Sequence, residues 1–202
     1  MKWKLIFILL MLITTLSIIL VFIIKNNPPY NLDDYNEIYN EFNQINSMNG
    51  NNSEKNKDKE ISDVIKNSRG KSYKTIATLQ ISIIALSCPI ITEYSEENIK
   101  MAPARLIGPS PNEIGNFVIV GHNYKNKEMF SNLDKLNKND EIILKDRKNG
   151  EKKYIIYEIK EINGDDFSCI EQNKNNKREV TLITCATKNR KKRLVIKSIE
   201  KI

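Results

Sequence analysis

Residues Leu5 to Ile24 form an unbroken run of 20 without a charge, relieved only by the hydroxyls of Thr14, Thr15 and Ser17. No other feature restricts the chain so tightly. In an apolar medium every backbone N–H and C=O must be satisfied within the segment, which for a single run means a helix. At 1.5 Å rise per residue, such a run reaches roughly 30 Å, the thickness of a hydrocarbon core. A cleaved secretory signal has an apolar region of about 7–15 residues and a small-residue cleavage site. Here the run is longer, and Lys25-Asn-Asn-Pro-Pro29 follows it with no Ala-x-Ala pattern. An uncleaved anchor over residues 1–25 is therefore expected. Lys2 and Lys4 precede the run, and the next charges after Lys25 are Asp33, Asp34 and Glu37. The positive-inside bias then gives a single-pass protein of the cell membrane, its N-terminus cytoplasmic and the remainder extracellular.

Residues 26–74 read as a helical or flexible linker. Leu32, Tyr35, Ile38, Tyr39, Phe42 and Ile45 recur at near-helical spacing, whereas residues 49–60 contain no large apolar side chain and cannot offset the cost of ordering by burial. Asp63 to Asn67 is expected to add a helical turn. From residue 75 to 202 the pattern is that of short strands. Thr75–Ile84 alternates and is rich in β-branched residues, and Ser87-Cys-Pro89 is expected to break it before Ile90–Glu93 resumes. Phe117–Gly121 is a continuous apolar strand. Glu141–Lys145 and Tyr154–Ile162 flank an Asn149-Gly150 hairpin signal, and Glu179–Cys185 and Leu194–Ile199 complete the set. Ser95 has the look of an N-cap, and Phe130, Leu133 and Leu136 give Met129–Leu136 a short helical pattern. Seven or eight strands with two short helices make a mainly β domain, a closed or nearly closed β-barrel.

The formal charge is +7, of which Lys2 and Lys4 supply two, leaving +5 for residues 25–202. That suits a soluble basic surface or attraction to an anionic envelope. The chain shows no basic–aromatic interleaving, zinc-finger spacing or recognition-helix signature, so nucleic acid is not an expected partner.

Three cysteines, Cys88, Cys169 and Cys185, leave at least one thiol free. For Cys88 and Cys169 the alternatives are a mutual disulfide or two ordinary small apolar side chains. Cys185 ends a strand, where a reactive group can emerge at a barrel rim. His122, the only histidine, also follows a strand and Gly121. An imidazole beside a thiol raises its thiolate fraction and can deliver a proton to a leaving amine. Seven residues separate Cys185 from Arg193. An antiparallel hairpin would set the two on neighbouring strands, with Leu194 and Ile196 inward and Arg193 on the other face. Its permanent charge suits a substrate carbonyl or an oxyanion. Arg190 is the fallback.

Gly115-Asn-Phe-Val-Ile-Val-Gly-His122, Phe130-x-x-Leu133, Thr181-Leu-Ile-Thr-Cys185 and Arg193-Leu-Val-Ile196 together resemble the sortases, membrane-anchored transpeptidases of Gram-positive bacteria, over roughly residues 75–200. The resemblance implies that Cys185 is the nucleophile, His122 the general acid/base, and Arg193 the holder of substrate and oxyanion. Thr184 matches a position lining the family's substrate groove. The family cuts a sorting signal resembling Leu-Pro-x-Thr-Gly between Thr and Gly through a thioacyl enzyme, then transfers the protein to an amine of a cell-wall precursor or a pilin. Surface proteins bearing such signals are the implied partners. Gly121-His-Asn-Tyr124 leans towards class B, while the 17 residues Asn163–Glu179 are short for the class B insertion and fit class A or D. Some sortases bind calcium. Glu93, Glu96, Glu97, Asp165 and Asp166 are the acidic candidates, but they read as solvated surface, and no cofactor or metal is expected. The alternative functions are a hydrolytic cysteine peptidase and a non-catalytic, membrane-tethered surface binding module of the same fold.

Overall fold

The computed structural model describes residues 2–26, 63–66, 72–124, 129–172, 176–187 and 189–202. The amphipathic pattern of residues 30–48 and the polar spacer after it lie outside these. Two compact units are present, Met1–Leu32 and Asp33–Ile202. The first contains helix α1, Lys2–Asn26, which takes in the whole apolar run. Its Thr14, Thr15 and Ser17 hydroxyls donate back to backbone carbonyls three residues earlier, so each is satisfied within the helix. The apolar side chains described on it, among them Trp3, Phe7, Leu10 and Leu16, are all exposed. Among the described residues, no helix is long and apolar enough to cross a membrane.

The second unit is mainly β. Nine strands occur in chain order: β1 Asp63–Lys66, β2 Ser72–Ile81, β3 Leu86–Ile91, β4 Ala104–Ile107, β5 Gly115–Val120, β6 Glu141–Asp146, β7 Gly150–Asn163, β8 Arg178–Cys185 and β9 Lys192–Glu200. Their lateral order is β1-β2-β3-β4-β5-β8-β9-β7-β6, and β6 pairs back onto β2. Eight strands, β2 to β9, thus close a barrel. Closure is made by Thr78↔Lys145, Leu79↔Leu144 and Gln80↔Ile143. β1 lies outside the ring and adds to the first residues of β2. The helical turn expected at Asp63–Asn67 is this strand instead, because Val64 and Ile65 fall opposite the free start of β2 and β-branched residues suit pairing.

Two other expectations change. The break after β2 comes at Ser82–Ala85, where a single 3-10 turn closes with Ala85 at φ 52. Ser87, Cys88 and Pro89 sit within β3. Proline is tolerated there because β3 meets β4 only at Ile91↔Ala104, which leaves an edge where an N–H is dispensable. Met129–Leu136 forms no α-helix, only a 3-10 turn at Leu133–Lys135. Phe130, Leu133 and Leu136 are nonetheless all buried in the barrel core. Their spacing of three matches a three-residue turn better than one of 3.6. Ser95 Oγ accepts from the Asn98 N–H at 3.0 Å, but the residue in the cap position of the short turn Asn98–Lys100 is Glu97. The β6–β7 hairpin forms around residues 147–149, its turn closed by the Asp146 carboxylate on the N–H groups of Lys148 and Asn149.

Strand alternation sorts the side chains. Phe117, Ile119, Val180, Leu182, Leu194 and Ile196 fill the barrel with Leu79, Ile142 and Tyr154. Val118, Ile183 and Val195 point outward, where Ile162 and Cys169 cover them. A second outer cluster, Tyr73, Ile91, Ile99, Met101, Ala102 and Ala104, lies under the β3–β4 connection and reaches Val120. Two connections, β3–β4 and β7–β8, therefore fold over the outer face on either side of the ends of β5 and β8. Asn116, wholly buried in β5, fastens the β7–β8 connection: its amide donates to the Cys169 and Glu171 carbonyls, and its Oδ1 accepts from Thr181.

Candidate active site

The final pair of the antiparallel β8–β9 ladder is Cys185↔Arg193. Directly opposed residues share a face, with Cβ atoms about 4.5–5.5 Å apart. The Arg193 face is the outer one, since Leu194 and Ile196 are inside, as the alternation of the sequence implies. On the other side of β8, β5 runs parallel, and the last ladder pair is Val120↔Ile183. His122 and Cys185 each stand two residues beyond that pair. Parallel strands are about 4.8 Å apart, so the register sets the histidine beside the cysteine. The lateral order β5-β8-β9 thus lines up imidazole, thiol and guanidinium across three strand ends. All three residues are partly exposed.

Local chemistry explains the placing of each. Gly121 precedes the histidine because the Phe130 ring packs on its backbone: a Cβ there would meet Phe130 Cδ2 at 2.8 Å. The Phe130 N–H also donates to the His122 carbonyl at 3.1 Å. The imidazole leans on Tyr124, ring centres 4.9 Å apart and planes 40° apart. Partial burial holds the His122 pKa below its ordinary value; Lys100 and Arg190 push it the same way and Glu96 opposes them. Glu96, expected only as solvated surface, is fixed by the Tyr94 hydroxyl at 2.7 Å. Arg193 Nη1 donates to the Arg190 and Lys192 carbonyls at 3.1 and 3.3 Å. Its guanidinium lies beside Gly164, where a Cβ would fall 3.7 Å from Cζ and only 2.9 Å from the Lys191 carbonyl. Arg190, the fallback, instead donates to the Asn123 carbonyl at 3.2 Å.

None of Cys88, Cys169 and Cys185 is in a disulfide. Cys88 belongs to the barrel core and Cys169 to the outer cluster, where burial raises its pKa. They are the small apolar side chains of the two alternatives. Thr184, expected to line a groove, is 1% exposed, and its hydroxyl donates to the Gly121 carbonyl at 2.8 Å. It ties the two strand ends together. Glu93, Glu96 and Glu97 lie on the β3–β4 connection and Asp165 and Asp166 on β7–β8; among the described residues no three His, Cys, Asp or Glu side chains form a metal-holding group. Sequence reasoning missed Asn123, whose amide donates to the Cys185 carbonyl at 2.8 Å. Its neighbour His122 was the available signal, but its target lies 62 residues away.

A family model described as the sortase domain matches residues 79–200. Among solved structures, a sortase D5 transpeptidase of Clostridium perfringens is 30% identical, with 63% of this chain and 79% of that chain covered and a TM-score of 0.58. A pilus-related sortase C of Group B Streptococcus is 26% identical over 63% of this chain and 68% of that chain, TM-score 0.58. A lid mutant of sortase A from Corynebacterium diphtheriae, 22% identical over 67% and 74%, TM-score 0.59, shares the fold. No curated protein matches the chain.

Proposed function

The chain belongs to the sortase family, and from that premise we propose that it is a membrane-anchored cysteine transpeptidase acting on sorting signals resembling Leu-Pro-x-Thr-Gly. The observation that carries the reading is the register that pairs Cys185 with Arg193 and brings β5, two residues before His122, level with β8 two residues before Cys185. Cys185 sulfur attacks the Thr carbonyl carbon, passing its proton to His122. Arg193 stabilises the oxyanion. Collapse breaks the Thr–Gly C–N bond, and the glycine amine leaves with the proton from His122. An acceptor amine then attacks the thioester, giving a proton to the imidazole as the C–S bond breaks and the thiol is restored. A low His122 pKa favours this cycle, because an imidazole that is neutral at rest can accept the thiol proton.

Thr184 enters as the latch between the two strand ends, its hydroxyl being used on Gly121. The anchor rests on the sequence: the twenty uncharged residues Leu5–Ile24 would reach roughly 30 Å as a helix. The charges around Leu5–Ile24 favour an extracellular barrel. Partners on this reading are surface proteins with a C-terminal sorting signal and an amine of a peptidoglycan precursor or pilin. The short β7–β8 connection and the likeness to a D-type enzyme favour class A or D over class B.

The test is to incubate the full-length protein, in detergent micelles, with a sorting-signal peptide, with and without oligoglycine. Product joined to oligoglycine, absent in Cys185→Ala, is expected. Cleavage that persists in Cys185→Ala, or hydrolysis unaffected by the amine, overturns the reading.

A further inference from the structure

Past Val120↔Ile183 the ladder between β5 and β8 is continued largely by side chains. The Gly121 N–H still donates to the Ile183 carbonyl at 3.1 Å. Thr184 Oγ1 then donates to the Gly121 carbonyl, and Asn123 Nδ2 to the Cys185 carbonyl, each at 2.8 Å. In a regular parallel ladder the Cys185 carbonyl would take the backbone N–H of residue 123. Here the side-chain amide of that residue takes over the role. The Asn123 backbone is free to turn, and it pairs with Met129 instead. The strands thus part at the site without losing their register.

The same residue reaches the segment between Cys185 and Arg193 at two more points. Asn123 Nδ2 lies 3.2 Å from Thr187 Oγ1, whose own hydroxyl donates to Asp134 at 2.9 Å. The Asn123 carbonyl accepts from Arg190 Nη2, and the Arg190 carbonyl in turn accepts from Arg193. The side chain of this one residue is therefore attached to the peptide of the thiol and to Thr187, while its backbone carbonyl, through Arg190, reaches the support of the guanidinium. It is covalently joined to the imidazole's residue.

We propose that Asn123 is a positioning residue: its side-chain amide sets where Cys185 stands relative to His122 and steadies the segment that carries Arg193. The inference rests on Cys185 and His122 acting as proposed above. Reacting groups misplaced by about 1 Å lose on the order of a hundredfold in rate, so the contact governs turnover more than substrate affinity.

The test uses full-length protein in micelles carrying Asn123→Ala, Asn123→Asp or Asn123→Gln. Three quantities are measured: kcat and KM for the sorting-signal peptide, the thermal midpoint, and the alkylation rate of Cys185, the one cysteine that is not buried. Asp keeps the shape and lacks the donor; Gln keeps the donor on a longer arm. Ala and Asp should lower kcat about tenfold or more with KM within about threefold and the fold retained. Alkylation should slow with them, and Gln should recover a substantial part of kcat. A kcat for Asn123→Asp within twofold of the parent overturns the inference, as does a loss that merely tracks unfolded protein in both Ala and Asp. An inactive parent removes the proposed function and this inference together; an active parent with indifferent variants removes this inference alone.

Discussion

Replacing Gly121 by Ala tests whether the site is held by the packing beneath it. The added Cβ would lie 2.8 Å from Phe130 Cδ2 and 3.1 Å from Cε2 and Cγ, whereas ordinary contact begins at 3.4 Å, so about 0.6 Å must open. Phe130 cannot yield freely, being fully buried with Leu133 and Leu136. Its N–H is also bonded to the His122 carbonyl, so strain passes straight to the histidine. Overpacking of this kind costs about 1–3 kcal/mol. At roughly 3–5 °C per kcal/mol for a domain of this size, the melting midpoint should fall by about 3–15 °C. Moving His122 by half an ångström or more should lower kcat about tenfold or more. The decisive measurement is a double-mutant cycle with Phe130→Leu, followed by calorimetry and peptide-cleavage kinetics. Removing the ring should make the added methyl nearly neutral, a coupling of about 1–2 kcal/mol. Equal effects of Gly121→Ala in both backgrounds would refute the packing argument.

Acid should abolish activity only below the ordinary histidine range, because burial holds the His122 pKa down and a protonated imidazole cannot accept the thiol proton. Glu96→Gln removes the opposing influence and should move the acid limb of kcat/KM lower still, while Lys100→Met should move it higher; a limb that ignores both would count against the assignment. Arg193→Lys keeps the charge and loses the planar guanidinium whose Nη1 is braced on the Arg190 and Lys192 carbonyls, so kcat should fall on the order of a hundredfold in single-turnover assays. Asn116→Ala removes two hydrogen bonds to the β7–β8 connection, on the Cys169 and Glu171 carbonyls, and a buried one from Thr181 of β8. It should cost about 2–3 kcal/mol in denaturant melts and raise KM more than it lowers kcat.

Local order was legible because it depends on neighbours in sequence. The uncharged run dictates a helix, β-branched alternation marks β2, a continuous apolar run marks β5, and β8 and β9 are placed within a few residues. The Cys185–Arg193 pairing could also be read, since a hairpin needs only a short connection. Phe130, Leu133 and Leu136 share one face, as their spacing implies, although the helix expected there is a 3-10 turn, because which residues lie together follows spacing while backbone type depends on what the turn packs against. Pro89 shows the same limit: a strong breaker by composition, it is accommodated by a strand edge that exists only once β3 and β4 are in place. The adjacency of β5 and β8 lies further still from any local signal. Parallel neighbours are joined by no tight turn, and their register follows from the closing of the barrel around its core. The kinds of reactive side chain were thus set by the sequence alone. Their convergence, the clasp of Asn123 on the Cys185 carbonyl and the seating of His122 over Phe130 were decided by tertiary packing, which alone brings residues some 60 positions apart within hydrogen-bond reach.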